Sequence, residues 1–345
     1  MTWHRQEPLD DPHFTRCFAL NDQIAWVIGK RGNIIATTDG GATWVAQPSN
    51  AEVDLRGIYA VSSDMCWAVG RGGTVLCTTD AGSTWEKAQS GTELDLYGLW
   101  ASPDGLNVRA TGDDGIIVAS DNGGRSWSSQ PSGTGKDVVS IAFAPDARHG
   151  WAVGDSGLIL ASPDGGQTWG PQLSGVEKDL VAIHGAGSSR WAVGQDGILV
   201  ATADGGTTWC RRDIGAGELL WSVHLLHDEL HGWAAGAAGT ILATHDGGTT
   251  WHRQDSPSQE PLFSVHFGTD GKRGWAAGAA GTILATQDGG TTWHRQKSPV
   301  TSSLSKVQVF DDDTVWIAGR AGTILATHDG GATWSARASG TSSAL

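Results

Sequence analysis

The chain of 345 residues has few cysteines and prolines, four and 11, and fewer basic than acidic residues. Lysine and arginine number 23 against 37 aspartates and glutamates, and the formal net charge of −14 argues against nucleic-acid binding. No run of about 18 apolar residues is present, so we expect no membrane span. Residues 1–7 lack the apolar segment of a secretory signal. We therefore expect a cytoplasmic protein, or an exported one if a signal was trimmed from the N-terminus.

The cysteines are too few and too scattered for a disulfide framework or a zinc site: Cys17, Cys66, Cys77 and Cys210. Cys66 and Cys77 flank the glycine-rich turn at residues 70–73 symmetrically. We expect them to face each other across a hairpin as buried free thiols rather than as a disulfide, because a reducing compartment is expected.

Glycine and tryptophan, by contrast, are abundant, with 50 and 18 copies. Glycine-rich disorder is excluded because disordered segments are poor in aromatic residues. The tryptophans mark an internal repeat of 40 to 42 residues, whose units close at Trp3, Trp44, Trp85, Trp127, Trp169, Trp209, Trp251, Trp293 and Trp334. A second set opens a W-x-x-G turn at Trp26, Trp67, Trp151, Trp191, Trp233, Trp275 and Trp316, and Arg109 takes this place in the third unit.

This period, with short β-branched runs between glycine turns, is typical of one four-stranded propeller blade. In the second unit, residues 54–60, 66–69 and 74–78 predict three strands, and an outer strand starts at Trp85. No helical periodicity extends over about 10 residues or more. We predict an all-β chain in which residues 1–345 form a single closed β-propeller domain of eight four-stranded blades.

A repeated S/T-x-D-x-G-x-x-W pattern lies between the third and fourth predicted strands of each unit. Aspartate can accept hydrogen bonds from its own turn, glycine supplies a positive φ, and tryptophan packs the end of the hairpin. Because one reaction needs one site whereas every blade needs this turn, we predict a structural role for the residues at its third position. They are Asp39, Asp80, Asn122, Asp164, Asp204, Asp246, Asp288 and Asp329.

These turns resemble those of the Asp-box, or BNR, repeat family. Within that family, the sequence pattern W-A-V-G followed by A-T-x-D-G-G-x-T-W is similar to the repeats of the photosystem II assembly and stability factor propellers and their bacterial relatives. The resemblance covers nearly the whole chain, and the residues that carry it are those that build the blades. It implies a seven-bladed propeller, which is the alternative to the eight units counted here. It also implies an arginine-rich patch on one propeller face that binds a protein partner.

The register of the repeats suggests how the ring closes. Residues 2–6, T-W-H-R-Q, match the outer strand of the sixth unit at residues 250–254. The chain thus begins with an outer strand, and we expect residues 1–9 to help close the last blade, because closure removes exposed strand edges.

Functional residues are expected where the units differ, on the face formed by the starts of the inner strands and by the turns between strands two and three. Units eight, one and two are basic on this face, and units three to five are acidic. We predict a partner-binding surface made of Lys30, Arg31, Arg56, Arg71 and Arg320. Arg16 and Lys306 add to the basic side, and Asp95, Asp137 and Asp179 to the acidic side.

Aromatic and histidine residues form two further candidate groups. Tyr97, Trp221 and Phe263 begin inner strands and could offer a ligand face. His184, His224 and His266 share one inner-strand position in three successive units, which makes them a weak metal candidate beside the interpretation of three inherited packing residues. We expect no cofactor.

The function that this pattern favours is a non-catalytic binding or assembly scaffold, monomeric, with a charge-patterned face for a protein partner. The alternative is a carbohydrate-active or glycan-binding propeller that uses Trp100, Trp221 and acidic residues near the channel. Sialidases of this fold need an arginine triad and a Tyr–Glu pair, whereas this chain has only Tyr59 and Tyr97. The sequence does not distinguish any two acidic residues as the carboxylate pair that a glycosidase needs. A third hypothesis is a recently amplified or engineered repeat without a specific ligand, since units six and seven are nearly identical.

Overall fold

The computed structural model describes residues 14–212, 214–215 and 217–337, and it consists of eight four-stranded antiparallel sheets arranged as a propeller ring. Within each sheet the strands pair in chain order, from an inner strand to an outer one. The predicted all-β fold with eight blades is confirmed, and the seven-bladed alternative is wrong. Among the described residues, no helix has the length and apolar character needed to cross a membrane.

The first four blades comprise 16 strands. Blade 1 contains β1 (Phe14–Ala19), β2 (Ala25–Gly29), β3 (Ile34–Thr37) and β4 (Val45–Gln47). Blade 2 contains β5 (Leu55–Ala60), β6 (Cys66–Gly70), β7 (Val75–Thr78) and β8 (Glu86–Ala88). Blade 3 contains β9 (Leu96–Ala101), β10 (Val108–Gly112), β11 (Ile117–Ser120) and β12 (Ser128–Gln130). Blade 4 contains β13 (Val138–Phe143), β14 (Gly150–Gly154), β15 (Leu158–Ser162) and β16 (Gly170–Gln172).

The remaining four blades repeat this order. Blade 5 contains β17 (Leu180–Ala186), β18 (Ser189–Gly194), β19 (Leu199–Thr202) and β20 (Cys210–Arg212). Blade 6 contains β21 (Leu220–Leu225), β22 (Gly232–Gly236), β23 (Ile241–Thr244) and β24 (His252–Arg253). Blade 7 contains β25 (Leu262–Phe267), β26 (Gly274–Gly278), β27 (Ile283–Thr286) and β28 (His294–Arg295). Blade 8 contains β29 (Leu304–Val309), β30 (Val315–Gly319), β31 (Ile324–Thr327) and β32 (Ser335–Ala336).

Short 3₁₀ turns join the second and third strands of blade 1 and of blades 3 to 7. They span Lys30–Gly32, Asp113–Gly115, Asp155–Gly157, Gln195–Gly197, Ala237–Gly239 and Ala279–Gly281. Their central residue has a positive φ, as at Arg31 (φ 57°). In blades 1, 3, 4 and 5 these turns place polar side chains at one end of the ring, whereas in blades 6 and 7 they read Ala-Ala-Gly.

The core lies between neighbouring blades, because each sheet is covered on both faces. The second strands are buried throughout, as in β22. Trp233 of blade 6 stacks on Phe267 of blade 7, with ring centroids 3.5 Å apart, and its indole N–H donates to the carbonyl of Gly289 at 3.0 Å. The hydrogen bond is not general, since the indole N–H groups of the other W-x-x-G tryptophans find no acceptor among the described residues. Packing of the ring against a glycine of the next Asp-box turn is what recurs, at Trp67, Trp151, Trp191 and Trp316.

Blades 8 and 1 close the ring through the same kind of packing. Phe14, Val27 and Trp44 of blade 1 share a buried cluster with Trp316 and Ile324 of blade 8. The fourth strand of blade 8, as described, is β32. The expectation that residues 1–9 help to close the last blade lies outside the described residues.

The Asp-box turns are held by side-chain hydrogen bonds. In blade 6, Asp246 accepts hydrogen bonds from the backbone N–H of Thr250 at 2.9 Å, from the Thr250 hydroxyl at 2.6 Å and from the Thr244 hydroxyl at 2.8 Å. Gly248 has φ 80°, and a Cβ there would lie 2.9 Å from the Trp191 indole nitrogen of the preceding blade. Glycine is therefore required both by the backbone conformation and by the close approach of a neighbouring ring.

The predicted arrangement of Cys66 and Cys77 across a hairpin is wrong. Cys66 pairs with Thr78, and Cys77 pairs with Trp67, in adjacent positions of the same two strands. Because successive side chains of a strand point to opposite faces, the two thiols enter different cores. Both are free cysteines.

Candidate binding site

The start of each inner strand and the turn between strands two and three lie on one face of the ring. In blade 2, Leu55 pairs with Gly70, and the N–H of Arg71 in the following turn donates to the carbonyl of Asp54 at 3.0 Å. The Asp-box turns follow the opposite ends of the strands. We call the first surface the turn face. All five residues predicted to bind a partner lie on it.

A cavity of about 350 Å³ opens on the turn face where blades 8, 1, 2 and 3 meet. Of its described lining residues, four have basic side chains and none has a carboxylate. Its lining residues are Phe14, Thr15, Arg16, Lys30, Arg56, Tyr97, Ser305 and Arg320. The structure thus brings together three of the five predicted partner-binding residues, Lys30, Arg56 and Arg320, and adds Arg16.

Arg31 and Arg71, the other two predicted residues, are exposed on neighbouring turns and do not line the cavity. The guanidinium of Arg71 lies 3.6 Å from a carboxylate oxygen of Asp54 and 3.7 Å from one of Asp95. These contacts are long and solvent-exposed, so they contribute little to stability. They nevertheless reduce the positive charge that Arg71 presents.

Arg56 and Arg320 differ in their surroundings. The Arg56 guanidinium lies 3.5 Å from Asp95 and 5.1 Å from the centre of the Tyr97 ring. The Arg320 side chain is exposed and makes no ion pair within the described part of the chain. A ligand that enters the cavity therefore meets Arg320 without a competing carboxylate.

A β-bulge aims one residue of each inner strand at the channel mouth. In β5 the register shifts between Leu55 and Gly57, which leaves Arg56 unpaired. The same shift occurs in the other seven inner strands. The residues at this position are Thr15, Arg56, Tyr97, Val139, Val181, Trp221, Phe263 and Ser305.

The predicted aromatic ligand face is a part of this ring of residues. Tyr97, Trp221 and Phe263 line a space of about 250 Å³ in the channel. Trp221 and Phe263 contact each other edge to face, with centroids 5.1 Å apart. The Tyr97 hydroxyl donates a short hydrogen bond to Asp113. Burial and this hydrogen bond raise the pKa of Tyr97, so the hydroxyl stays protonated.

The aspartates at the inner-strand starts have a structural task that the sequence analysis missed. Each accepts a hydrogen bond from a backbone N–H in the turn of the preceding blade. The pairs are Arg31 with Asp54 at 3.3 Å, Gly72 with Asp95 at 2.9 Å, Asp114 with Asp137 at 2.9 Å, and Ser156 with Asp179 at 2.9 Å. The available signal was an aspartate directly before the first apolar residue of four successive inner strands.

Trp100, which the glycan hypothesis uses, is buried. It is 7% exposed and stacks on Phe143 with centroids 3.8 Å apart. It therefore cannot offer a ring to a sugar, and of the two tryptophans outside the repeat only Trp221 lies at the channel.

The three histidines form a row along neighbouring inner strands. The ring centroids of His184 and His224 are 5.2 Å apart, and those of His224 and His266 are 4.3 Å apart. His184 already accepts a hydrogen bond on Nδ1 from the backbone N–H of Leu225 at 3.1 Å. Within residues 14–212, 214–215 and 217–337, no three His, Cys, Asp or Glu residues are placed to hold a metal ion.

Burial dominates the acid–base properties of this row. It lowers the pKa of His184 to about 4 and that of His266 to about 3, and the charge of Lys306 acts in the same direction. Burial also lowers the pKa of His224, with a further contribution from His266. The rings are therefore neutral at physiological pH.

Solved structures with similar folds include two of YCF48. One, described as YCF48 bound to a D1 peptide, has a TM-score of 0.62 and 21% identity, over 79% of this chain and 91% of that chain. The other, YCF48 from Cyanidioschyzon merolae, has a TM-score of 0.61 and 21% identity, over 79% and 95% of the two chains. The computationally designed Ika8 protein has a TM-score of 0.75 and 13% identity, over 92% and 96%.

Sequence comparison gives the family. No curated protein matches the chain. The sequence model of the photosynthesis system II assembly factor YCF48 family matches residues 3–135, 125–217, 212–297 and 252–341, which together cover almost the entire chain. This coverage agrees with the eight repeated blades and their Asp-box turns. The chain belongs to the family of the photosynthesis system II assembly factor YCF48.

Proposed function

We propose that this protein is a non-catalytic scaffold that binds an acidic segment of a protein partner on the basic part of its turn face. The observation that carries the proposal is the cavity lined by Arg16, Lys30, Arg56 and Arg320, four cations with no carboxylate among the lining residues that the structure describes. The chain as a whole has a formal net charge of −14, so this cavity is a local region of the opposite, positive charge. Surfaces of this kind steer and orient partners of opposite charge.

The rigidity of the blades supports a binding role. The inner-strand aspartates tie the turns of blades 1 to 4 to the next blade, so Lys30, Arg31 and Arg71 project from turns that are held in place. A preorganised surface loses less conformational entropy on binding. A related structure, YCF48 bound to a D1 peptide, is consistent with a protein ligand for this family.

The non-catalytic part of the proposal rests on the carboxylates near the channel. Asp95, Asp137 and Asp179 each accept a backbone hydrogen bond from the neighbouring blade. A glycosidase needs one carboxyl group with a raised pKa and a second that is free to act as a base or nucleophile. Carboxylates engaged in holding the turns are poorly suited to that task.

The proposal is tested with synthetic peptides of equal length and graded negative charge, whose binding is measured by fluorescence anisotropy at low and at physiological salt. We expect wild-type protein to bind the acidic peptides and the double variant Arg31→Glu with Arg320→Glu to lose at least tenfold in affinity. The matched control is Arg211→Glu with Arg295→Glu, which makes the same charge change on exposed outer strands.

Two results would overturn the proposal. One is equal loss of affinity in the turn-face and control variants, because the effect would then come from net charge alone. The other is binding to a glycan array that the turn-face substitutions leave unchanged, which would favour the glycan-binding alternative. Circular dichroism of each variant checks that the fold is retained.

A further inference from the structure

Arg16 and Lys306 occupy the same inner-strand position in two adjacent blades, 1 and 8. Each follows the bulge, and each pairs with the second strand of its blade, Arg16 opposite Ile28 and Lys306 opposite Ala318. The other blades have small, uncharged residues there: Gly57, Gly98, Ser140, Ala182, Ser222 and Ser264. The two cations are therefore an exception to an otherwise narrow, neutral ring of residues.

Both side chains line the channel beside Cys17 and Ser305. Enclosure by the surrounding blades lowers the pKa of Lys306 and of Arg16, and the positive charge of Arg16 lowers that of Lys306 further. In the described ranges, neither side chain makes a hydrogen bond or an ion pair. Two neighbouring cations in a confined space repel each other unless an anion lies between them.

Arginines that serve the fold look different in this protein. The buried Arg109 donates to the carbonyls of Gly166, Val108 and Ser120 and pairs with Asp121 at 2.8 Å. Arg190 donates to three carbonyls through one nitrogen and lies over the Trp151 ring. Arg16 has no such partners among the described residues, which leaves its donors available to a ligand.

The space above the two cations is also basic. Arg16 and Ser305 line both the channel and the cavity of about 350 Å³, so the two spaces adjoin. The cavity adds Arg56 and Arg320, together with the hydroxyl groups of Thr15 and Ser305. Arg16, Lys306, Arg56 and Arg320 thus line two adjoining spaces at the channel mouth.

We propose that the mouth of the channel is an oxyanion site in which Arg16 and Lys306 jointly bind one carboxylate or phosphate group, with Arg56 and Arg320 at its rim. The planar guanidinium of Arg16 can donate two parallel hydrogen bonds to such a group, and the ammonium of Lys306 supplies a point charge. The inference goes beyond the docking of an acidic protein segment, because a small anion alone can occupy the site.

The group can come from two sources, a free small anion or the carboxyl terminus of a polypeptide. Isothermal titration calorimetry and thermal unfolding of the full chain are therefore carried out with inorganic phosphate, with citrate, and with one short neutral peptide as free acid and as C-terminal amide. Sodium chloride at matched ionic strength is the control. We expect saturable binding and a rise in melting temperature that chloride does not reproduce.

The variants Arg16→Met and Lys306→Met remove the charge and keep much of the side-chain volume. Each should weaken anion binding at least tenfold, and each should unfold at an equal or higher temperature without ligand, because a like-charge contact is lost. Arg211→Met is the matched control, since Arg211 is exposed on the outer strand β20, away from the turn face. It should bind as the wild type does.

Binding of phosphate and citrate indicates a free anion as the source, and binding of the free acid but not of the amide indicates a chain terminus. The proposal is overturned if no ligand binds saturably, or if Arg211→Met weakens binding as much as Arg16→Met. Its failure is separate from failure of the scaffold proposal, because that test relies on Arg31 and Arg320 and on acidic peptides.

Discussion

The side-chain carbonyl of Gln47 in blade 1 accepts a hydrogen bond from the indole N–H of Trp85 in blade 2, at 3.0 Å. The same bond joins Gln172 to Trp209 at 2.7 Å and Gln296 to Trp334 at 2.6 Å. It connects the outer strand of one blade to the Asp-box tryptophan of the next.

Blade 2 lacks this connection because Ala88 occupies the position of Gln47. The facing Trp127 is only partly buried and donates to the carbonyl of Gly124 in its own turn at 3.0 Å. A groove of about 820 Å³ lies between blades 2 and 3, with Met65 and Leu106 in its wall. Ala88 itself lines this groove.

The first prediction is that Ala88→Gln stabilises the protein. The new carboxamide fills part of the groove and offers an acceptor to Trp127, so the free energy of unfolding should rise by about 1 kcal/mol. Gln47→Ala should lower it by about 1–2 kcal/mol, because the buried Trp85 N–H loses its acceptor. Urea unfolding followed by tryptophan fluorescence measures both. Destabilisation by Ala88→Gln would contradict this account of the groove.

The second prediction concerns pH and the histidine row. Folding lowers the pKa of His184 from its ordinary value near 6.5 to about 4, so the unfolded chain binds more protons between these values. Stability should therefore fall as the pH decreases from about 6.5 to 4, by about 3 kcal/mol for His184 alone. His224 and His266 act in the same direction. Urea unfolding at a series of pH values measures the slope.

The control for the histidines is supplied by blade 8, where Gln308 stands at the same strand position. Replacement of His184, His224 and His266 by glutamine should flatten the dependence of stability on pH over this interval. If the triple variant keeps the wild-type slope, other groups cause it.

The third prediction concerns Arg109, which stands in blade 3 where most blades have the W-x-x-G tryptophan. It is fully buried, and its guanidinium donates to backbone carbonyls and to Asp121. Arg109→Ala should lower the free energy of unfolding by about 3–5 kcal/mol, through lost packing and unpaired carbonyls. Arg109→Trp should cost only about 1 kcal/mol, because an indole N–H can reach a glycine carbonyl of the next turn, as Trp233 does. Chemical denaturation measures the free energy of unfolding of both variants. Equal losses for Arg109→Ala and Arg109→Trp would show that tryptophan cannot replace arginine at this position.

The fourth prediction concerns the Asp-box turn of blade 6. Asp246→Ala should destabilise the fold by about 1–2 kcal/mol, because the N–H and hydroxyl of Thr250 lose their acceptor. Asp246→Asn should be nearly neutral at pH 7, since Asn122 in blade 3 accepts from the backbone of Ser126 at 3.0 Å and donates to its hydroxyl at 2.7 Å. Thermal unfolding compares the two variants.

The same pair of variants also reports on pH. Hydrogen bonds from Thr250 lower the pKa of Asp246 to about 2. The stabilisation that this carboxylate provides is therefore complete above its unfolded pKa and is lost as the pH falls through about 4 towards 2. Asp246→Asn should lack this component of acid sensitivity. An unchanged acid transition would show that the turn does not contribute to it.

Much of the fold was predictable because its determinants are local and repeated. The predicted strands at residues 54–60, 66–69 and 74–78 agree within one residue with Leu55–Ala60, Cys66–Gly70 and Val75–Thr78. Spacing of the tryptophans gave the number of blades. The sequence predicted cations on the turn face, but their surroundings were not predictable, because these depend on contacts between blades. Nothing near Arg71 in the sequence indicates that Asp95, from the next blade, lies 3.7 Å from its guanidinium.

The sequence by itself therefore determined the architecture of this protein: the period specifies the blade, and glycine and aspartate specify its turns wherever they recur. Only the tertiary structure decided which side chains meet across blades. It separated Cys66 from Cys77, buried Trp100, and placed Arg16 of the first blade beside Lys306 of the last. The physical reason is ring closure, which brings residues from the two ends of the chain to one channel, a proximity that no local pattern encodes.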